Sequence, residues 1–287
     1  MVEVVNSDSD AVKTDYKINL RDGKKRNLGS HEEMVLLEVR SLSKDFGGLR
    51  ALQNLDFDIS EHELVGLIGP NGAGKTTLFN VLTGFYRPTK GKVIYRGEDI
   101  SRLGPNEIAR KGIVRTFQET ILSMDSTVYD NVLMGCHINF RAGVIREFLH
   151  TGAAAWEEQR MRDHVQEILE FMALAPLQSE LGGNLPHGQQ RAVAIAMALA
   201  SNPRLLLLDE PVTGMNPIET GTMMDHIKHI KNRGITIIMV EHDMRAVMNI
   251  CERIIVLNYG QKIAVGLPVE IKQNKDVIEA YLGREEE

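Results

Sequence analysis

The stretch Leu64-Val65-Gly66-Leu67-Ile68-Gly69-Pro70-Asn71-Gly72-Ala73-Gly74-Lys75-Thr76-Thr77-Leu78-Phe79-Asn80-Val81-Leu82 decides the fold of this chain. Its first five residues are an unbroken apolar run, as in a strand covered on both faces. Residues 69–77 match the pattern G-x-x-x-x-G-K-[ST], and the residues after them suit a helix. The glycines carry no Cβ to obstruct close approach, so several backbone N–H groups and a helix N-terminus can converge on phosphate oxygens. Gly69, Pro70, Asn71, Gly72, Ala73, Gly74, Lys75, Thr76 and Thr77 are therefore read as the phosphate-binding residues. Lys75 is expected to reach the β- and γ-phosphates of a nucleotide, and the Thr76 hydroxyl to coordinate Mg²⁺.

Two further runs, residues 205–208 and 235–240, are apolar in the same unbroken way, and helical stretches separate them. Each run ends in a polar or glycine-rich cluster. That arrangement predicts a parallel α/β sheet with the chemistry at its carboxyl edge. Between residues 36 and 60 the pattern is instead one of short alternating runs, including Leu55, Phe57 and Ile59, and Val93-Ile94-Tyr95 continues it. Half-exposed antiparallel strands read this way.

The second run leads into Asp209-Glu210-Pro211, which puts two adjacent carboxylates at the edge that also carries the loop. Adjacent strand residues face opposite ways, so one can hold the metal while the other faces an attacking water. Asp209 is assigned to Mg²⁺ and Glu210 to the general base. His242 follows the third run and is read as a hydrogen-bonding sensor of the γ-phosphate, although a lone histidine after a strand is more often structural.

Composition narrows the class. The chain has 287 residues, 43% hydrophobic and 25% charged, which is ordinary globular usage. A net charge of −6 supplies no global basic field for nucleic acid, so none is expected as a partner. The two cysteines, Cys136 and Cys251, show no CxxC spacing and suggest neither a disulfide framework nor a zinc cluster, which fits a reducing cytosol. No apolar run approaches the ~20 residues that cross a bilayer. If the chain serves a membrane, other chains do the spanning.

Residues 1–33 are polar and mixed in charge, read as a flexible extension, and the closing Glu285-Glu286-Glu287 as an acidic tail over residues 285–287. Residues 34–284 form the expected folded domain, with its core in 34–118 and 192–284. An inserted helical lobe is predicted over about 119–191, where Val165, Ile168, Leu169 and Met172 share a face and Ser126-Thr127 signals a helix start.

With these residues in hand the chain resembles the ABC-type P-loop ATPases, over most of residues 36–283. The resemblance implies an α/β P-loop NTPase fold of ABC type: a parallel-sheet core, an antiparallel β subdomain and an inserted helical subdomain. Gln118, in Val114-Arg115-Thr116-Phe117-Gln118, resembles the family glutamine that links Mg²⁺ and the attacking water to the helical lobe. Phe46 matches the aromatic position that stacks on adenine. Leu185-Pro186-His187-Gly188-Gln189-Gln190-Arg191 resembles the signature L-S-G-G-Q-Q-R, which implies that Leu185, Pro186, His187, Gly188 and Gln189 cap the nucleotide of a second ATPase subunit. Two departures stand out. Pro186 and His187 replace the serine and first glycine of the signature, and Asn216 in Gly214-Met215-Asn216-Pro217 replaces an aspartate.

These departures, together with the ending from Gly266 to Gly283, resemble importer ATPases for branched-chain amino acids; relatives moving urea or short amides look alike. The resemblance implies ATP and Mg²⁺ as cofactors, with two transmembrane permease subunits, an identical or paralogous second ATPase, and a substrate-binding protein as partners. It places the chain at the cytoplasmic face of the inner membrane. Permease docking is expected across residues 119–156, with Val128, Val132, Leu133, Phe148 and Trp156 serving either as its anchors or as the lobe's own core. A non-transport ABC ATPase is the remaining alternative. It usually carries long coiled coils or tandem ATPase units, and neither is visible here.

Overall fold

The computed structural model describes residues 34–116, 122–136 and 152–282. The chain opens with a long antiparallel hairpin, β1 (Val35–Phe46) and β2 (Leu49–Ser60), and then enters β3 (Leu64–Ile68) and helix α1 (Lys75–Leu82). Next come β4 (Lys90–Tyr95), β5 (Glu98–Asp99), α2 (Pro105–Arg110), β6 (Ile113–Arg115), α3 (Val128–Cys136) and α4 (Gly152–Phe171). They are followed by α5 (His187–Ala200), β7 (Leu205–Asp209), α6 (Pro217–Asn232), β8 (Thr236–Val240), α7 (Met244–Ile250), β9 (Arg253–Asn258), β10 (Gln261–Gly266), α8 (Pro268–Gln273) and α9 (Lys275–Leu282).

Two sheets result. The smaller is antiparallel in the order β2-β1-β4-β5, and the larger runs β10-β9-β3-β8-β7-β6. In the larger sheet β9, β3, β8, β7 and β6 are mutually parallel and β10 is antiparallel at the edge. The three apolar runs are its central strands, β3, β8 and β7. Alternate residues explain why they are apolar throughout: Leu64, Leu206 and Ile237 pack with the helices on one face, and Val65, Leu207 and Ile238 pack with β1, β2 and α1 on the other. Burying a Leu, Ile or Val side chain is worth about 1.5–3 kcal/mol, so a charge on either face of these strands would be costly.

The helical segment follows its sequence signals. Thr127 caps α3, its Oγ1 accepting the Asp130 N–H at 3.1 Å. Val165, Ile168, Leu169 and Met172 are all buried. Val128 and Val132 are completely buried in the same cluster, so they are core rather than docking anchors. Leu133 packs against that cluster, whereas Trp156 is 64% exposed. Phe148 lies outside the described residues.

Strand β9 was not singled out by its sequence, yet it pairs with β3 directly beside the phosphate loop. Its turn into β10, Tyr259-Gly260, has both φ angles positive, 45° and 75°, as a two-residue hairpin requires. The turn buttresses the loop: the Gly260 N–H donates to Ala73 O at 3.0 Å, and Gly260 O accepts the Gln53 N–H at 2.7 Å.

Candidate active site

A cavity of about 620 Å³ opens at the carboxyl edge of the parallel strands. Residues 71–77 line it, with Glu210, His242, Leu49, Arg50, Tyr259 and Gly260. Lys75 opens α1 and is buried, its Nζ donating to Gly69 O at 2.6 Å and Pro70 O at 3.1 Å. These carbonyls hold the amine over the mouth of the loop, where phosphate oxygens would replace them as acceptors. Thr76 follows on the first turn of α1 and is itself exposed.

Asp209 is the last residue of β7 and is 5% exposed. Arg115, at the end of the neighbouring strand β6, donates from Nη2 to Asp209 Oδ2 at 2.5 Å and from Nη1 to Asn80 Oδ1 at 2.6 Å. The guanidinium also lies over the Phe79 ring, 5.4 Å from its centroid. A buried carboxylate needs such a partner, because removing one member of a buried pair costs about 3–5 kcal/mol. Sequence reasoning missed Arg115 as a partner of Asp209.

Glu210 diverges from Asp209 for a reason other than strand alternation. The strand has already ended, and Glu210 sits at φ 49°, a left-handed conformation that costs a non-glycine residue about 1–2 kcal/mol. Its N–H is held by Val240 O at 2.9 Å. Its Oε1 lies 2.8 Å from His242 Nε2, and its Oε2 accepts from Thr213 Oγ1 at 3.2 Å. An ionised carboxylate only accepts, so the pairing requires the imidazole proton on Nε2. Beside them Glu241 is 2% exposed, and burial pushes its carboxyl above the usual carboxylate range.

Other predicted residues lie apart from the cavity. Phe46 closes β1, its ring edge-on to Tyr86 at 5.1 Å and 4.8 Å from Lys44 Nζ, and it is not among the lining residues. Gln118 lies outside the described residues. Leu185, Pro186, His187, Gly188 and Gln189 run into the start of α5 and contribute nothing to the cavity lining among the described residues. Pro186 is the N-cap of that helix and His187 its first residue. A Cβ on Gly188 would stand 3.3 Å from Glu219 Cδ, so the signature abuts the first turn of α6.

There Asn216 has a structural task. Its Oδ1 accepts the N–H groups of Ile218 at 2.9 Å and Glu219 at 3.0 Å, while Glu219 Oε2 accepts the Asn216 N–H, completing a capping box. Asn216→Ala should lower stability by about 1 kcal/mol, read from the urea midpoint, and Asn216→Asp should keep it. A midpoint unmoved by alanine would remove the capping role.

With this geometry in view, residues 52–213 match the family model described as ABC transporter. The chain belongs to the ABC transporter family. Residues 261–287 also match a model described as branched-chain amino acid ATP-binding cassette transporter. The ABC chain is 41% identical to the high-affinity branched-chain amino acid transport ATP-binding protein BraF of Pseudomonas aeruginosa, covering 86% of this chain and 98% of that protein. It is 43% identical to LivG of Salmonella typhimurium, a protein of the same description, with the same coverage. A solved ATP-binding cassette of an ABC transporter in its ADP conformation superposes with a TM-score of 0.77 at 31% identity, covering 88% of this chain and all of that one. The fold is thus the ABC-type α/β P-loop fold, and the chain is a nucleotide-binding ATPase subunit of a transporter. Among the described residues no helix is long and apolar enough to cross a membrane.

Proposed function

We propose that this chain powers the import of branched-chain amino acids by a prokaryotic transporter, acting from the cytoplasmic face of the inner membrane. Two ATPase subunits, identical or paralogous, would sit beneath two permease subunits, with a substrate-binding protein on the far side. The reading of cargo rests on the match of residues 261–287 and on the relatives' printed roles. The observation that carries the hydrolytic reading is the Glu210–His242 pair, 2.8 Å apart, in the cavity lined by the phosphate loop.

In this mechanism the loop amides and Lys75 hold the nucleotide phosphates, and Phe46, beyond the residues that line the phosphate cavity, would stack on adenine. Glu210 takes the proton of a water as its oxygen attacks the γ-phosphorus, and the bond to the β,γ-bridging oxygen breaks to release ADP. His242 orients Glu210, and once nucleotide is bound it would share its Nε2–H with the γ-phosphate. Hard oxygen donors suit Mg²⁺, and Thr76, Asp209 and Gln118 would supply them beside the substrate phosphates. The metal would neutralise charge on the β- and γ-phosphate oxygens. Asp209 must then exchange some of its contact with Arg115. Leu185, Pro186, His187, Gly188 and Gln189, remote from this chain's own cavity, would close over the nucleotide of the second subunit.

Transport in vesicles tests the cargo. The chain, reconstituted with the permease chains, the second ATPase and the substrate-binding protein of its transporter, should drive ATP-dependent uptake of labelled leucine, isoleucine and valine. Uptake of urea or short amides in their place would overturn the cargo assignment.

A further inference from the structure

Glu241 directly follows β8, one residue before His242, and has no role in the mechanism above. Its buried carboxylate faces backbone donors: Oε1 accepts the Val212 N–H at 2.8 Å, and Oε2 accepts the His242 N–H at 3.1 Å. The Asp243 N–H adds a further contact. Burying a carboxylate costs several kcal/mol unless donors replace its lost water, and backbone N–H groups are donors that cannot rotate away. Val212 lies two residues after Glu210, and the intervening Pro211 has no N–H to offer. One oxygen of Glu241 therefore pins the chain leaving Glu210, while the other pins the chain entering His242. The two side chains carried by those segments meet at 2.8 Å.

We propose that Glu241 is a positioning residue for ATP hydrolysis, a buried carboxylate that clamps the Glu210–Val212 and His242 backbones together and so sets the distance between base and histidine. The inference rests on reading Glu210 and His242 as the hydrolytic pair. The clamp needs an acceptor at both ends. In Glu241→Gln the shape is kept, but an amide NH₂ is turned towards the N–H donors of one end, so that end opens.

Purified full-length protein serves for the test. In the unaltered chain the Val212 and His242 amides lie outside strands and helices, yet they should exchange with deuterium as slowly as the amides of β8; fast exchange at both would overturn the clamp. In Glu241→Gln, kcat should fall about tenfold, the worth of one buried hydrogen bond, while the KM for ATP changes less than about twofold. Exchange at Val212 or His242 should accelerate with no matching change along β7 and β8. Added to His242→Ala, Glu241→Gln should slow turnover no further. Unchanged kcat, a uniform rise in exchange across both strands, or a multiplicative double variant would each overturn the proposal. Glu210→Gln, assayed in parallel, separates the two readings. Normal turnover in that variant removes Glu210 as the base whatever Glu241 does; slow turnover there, with normal turnover and exchange in Glu241→Gln, removes only the clamp.

Discussion

Glu210→Gln is expected to lower ATP turnover by about 10²–10⁴-fold, while the affinity for ATP stays within about threefold of the unaltered chain. The substitution is nearly isosteric. The glutamine oxygen can still accept from His242 Nε2 in place of Oε1, now 2.8 Å away, and the backbone cost of φ 49° is the same for both residues. What disappears is a group able to take a proton, so the loss should fall on kcat and not on binding, which in the proposed mechanism rests on residues 69–77. If the subunits pair around ATP, the variant should also persist as a nucleotide-loaded dimer on size-exclusion chromatography, because the event that opens the pair has been slowed. Near-normal turnover would remove Glu210 as the base. Alanine would be a poorer probe, since it also abandons His242 and Thr213.

The elements legible in the sequence are those whose signal is local. Residues 64–82 carry strand, loop and helix in one stretch, and residues 205–208 read as buried on both faces because both faces are in fact covered. Sheet order is not local: β3 pairs with β8 and β9, whose residues lie more than a hundred positions away, and periodicity carries no record of partners. Residues 254–257 of β9 are as apolar as the other runs and could have been read the same way.

The ion pair at the site escaped for a different reason. A lone arginine in an apolar strand reads as a residue at its exposed end; Arg115 is buried because Asp209, 94 residues later, neutralises it. Glu210 was legible by type and position, but the turn that separates it from Asp209 is a backbone conformation that no side-chain pattern encodes. Val128 and Val132 show the limit of amphipathic reasoning, since an apolar face does not say whether it meets its own lobe or another chain.

Gly69→Ala should abolish measurable ATP binding and lower Tm by about 5 °C or more. Gly69 sits at φ 151°, and an added Cβ would stand 2.0 Å from Leu257 O and 3.1 Å from Ala73 Cβ. A methyl group cannot approach a carbonyl oxygen that closely, so either β9 or the loop must move. If β9 yields, it carries the Tyr259-Gly260 turn and the Gly260 N–H bond that supports Ala73. If the loop yields, Gly69 O shifts and Lys75 Nζ moves with it, away from the phosphate position. Binding is lost on either path, and the strain of a few kcal/mol gives the drop in Tm, at roughly 2–4 °C per kcal/mol for a domain this size. Gly47→Ala is the control for a positive φ without a close approach, with φ 56° and nothing within 4 Å of its Cβ. It should cost only the left-handed backbone, about 1 kcal/mol, and leave ATP binding intact. Equal losses in the two variants would mean that backbone conformation, rather than the close approach of β9, is what the glycine at the head of the phosphate loop serves.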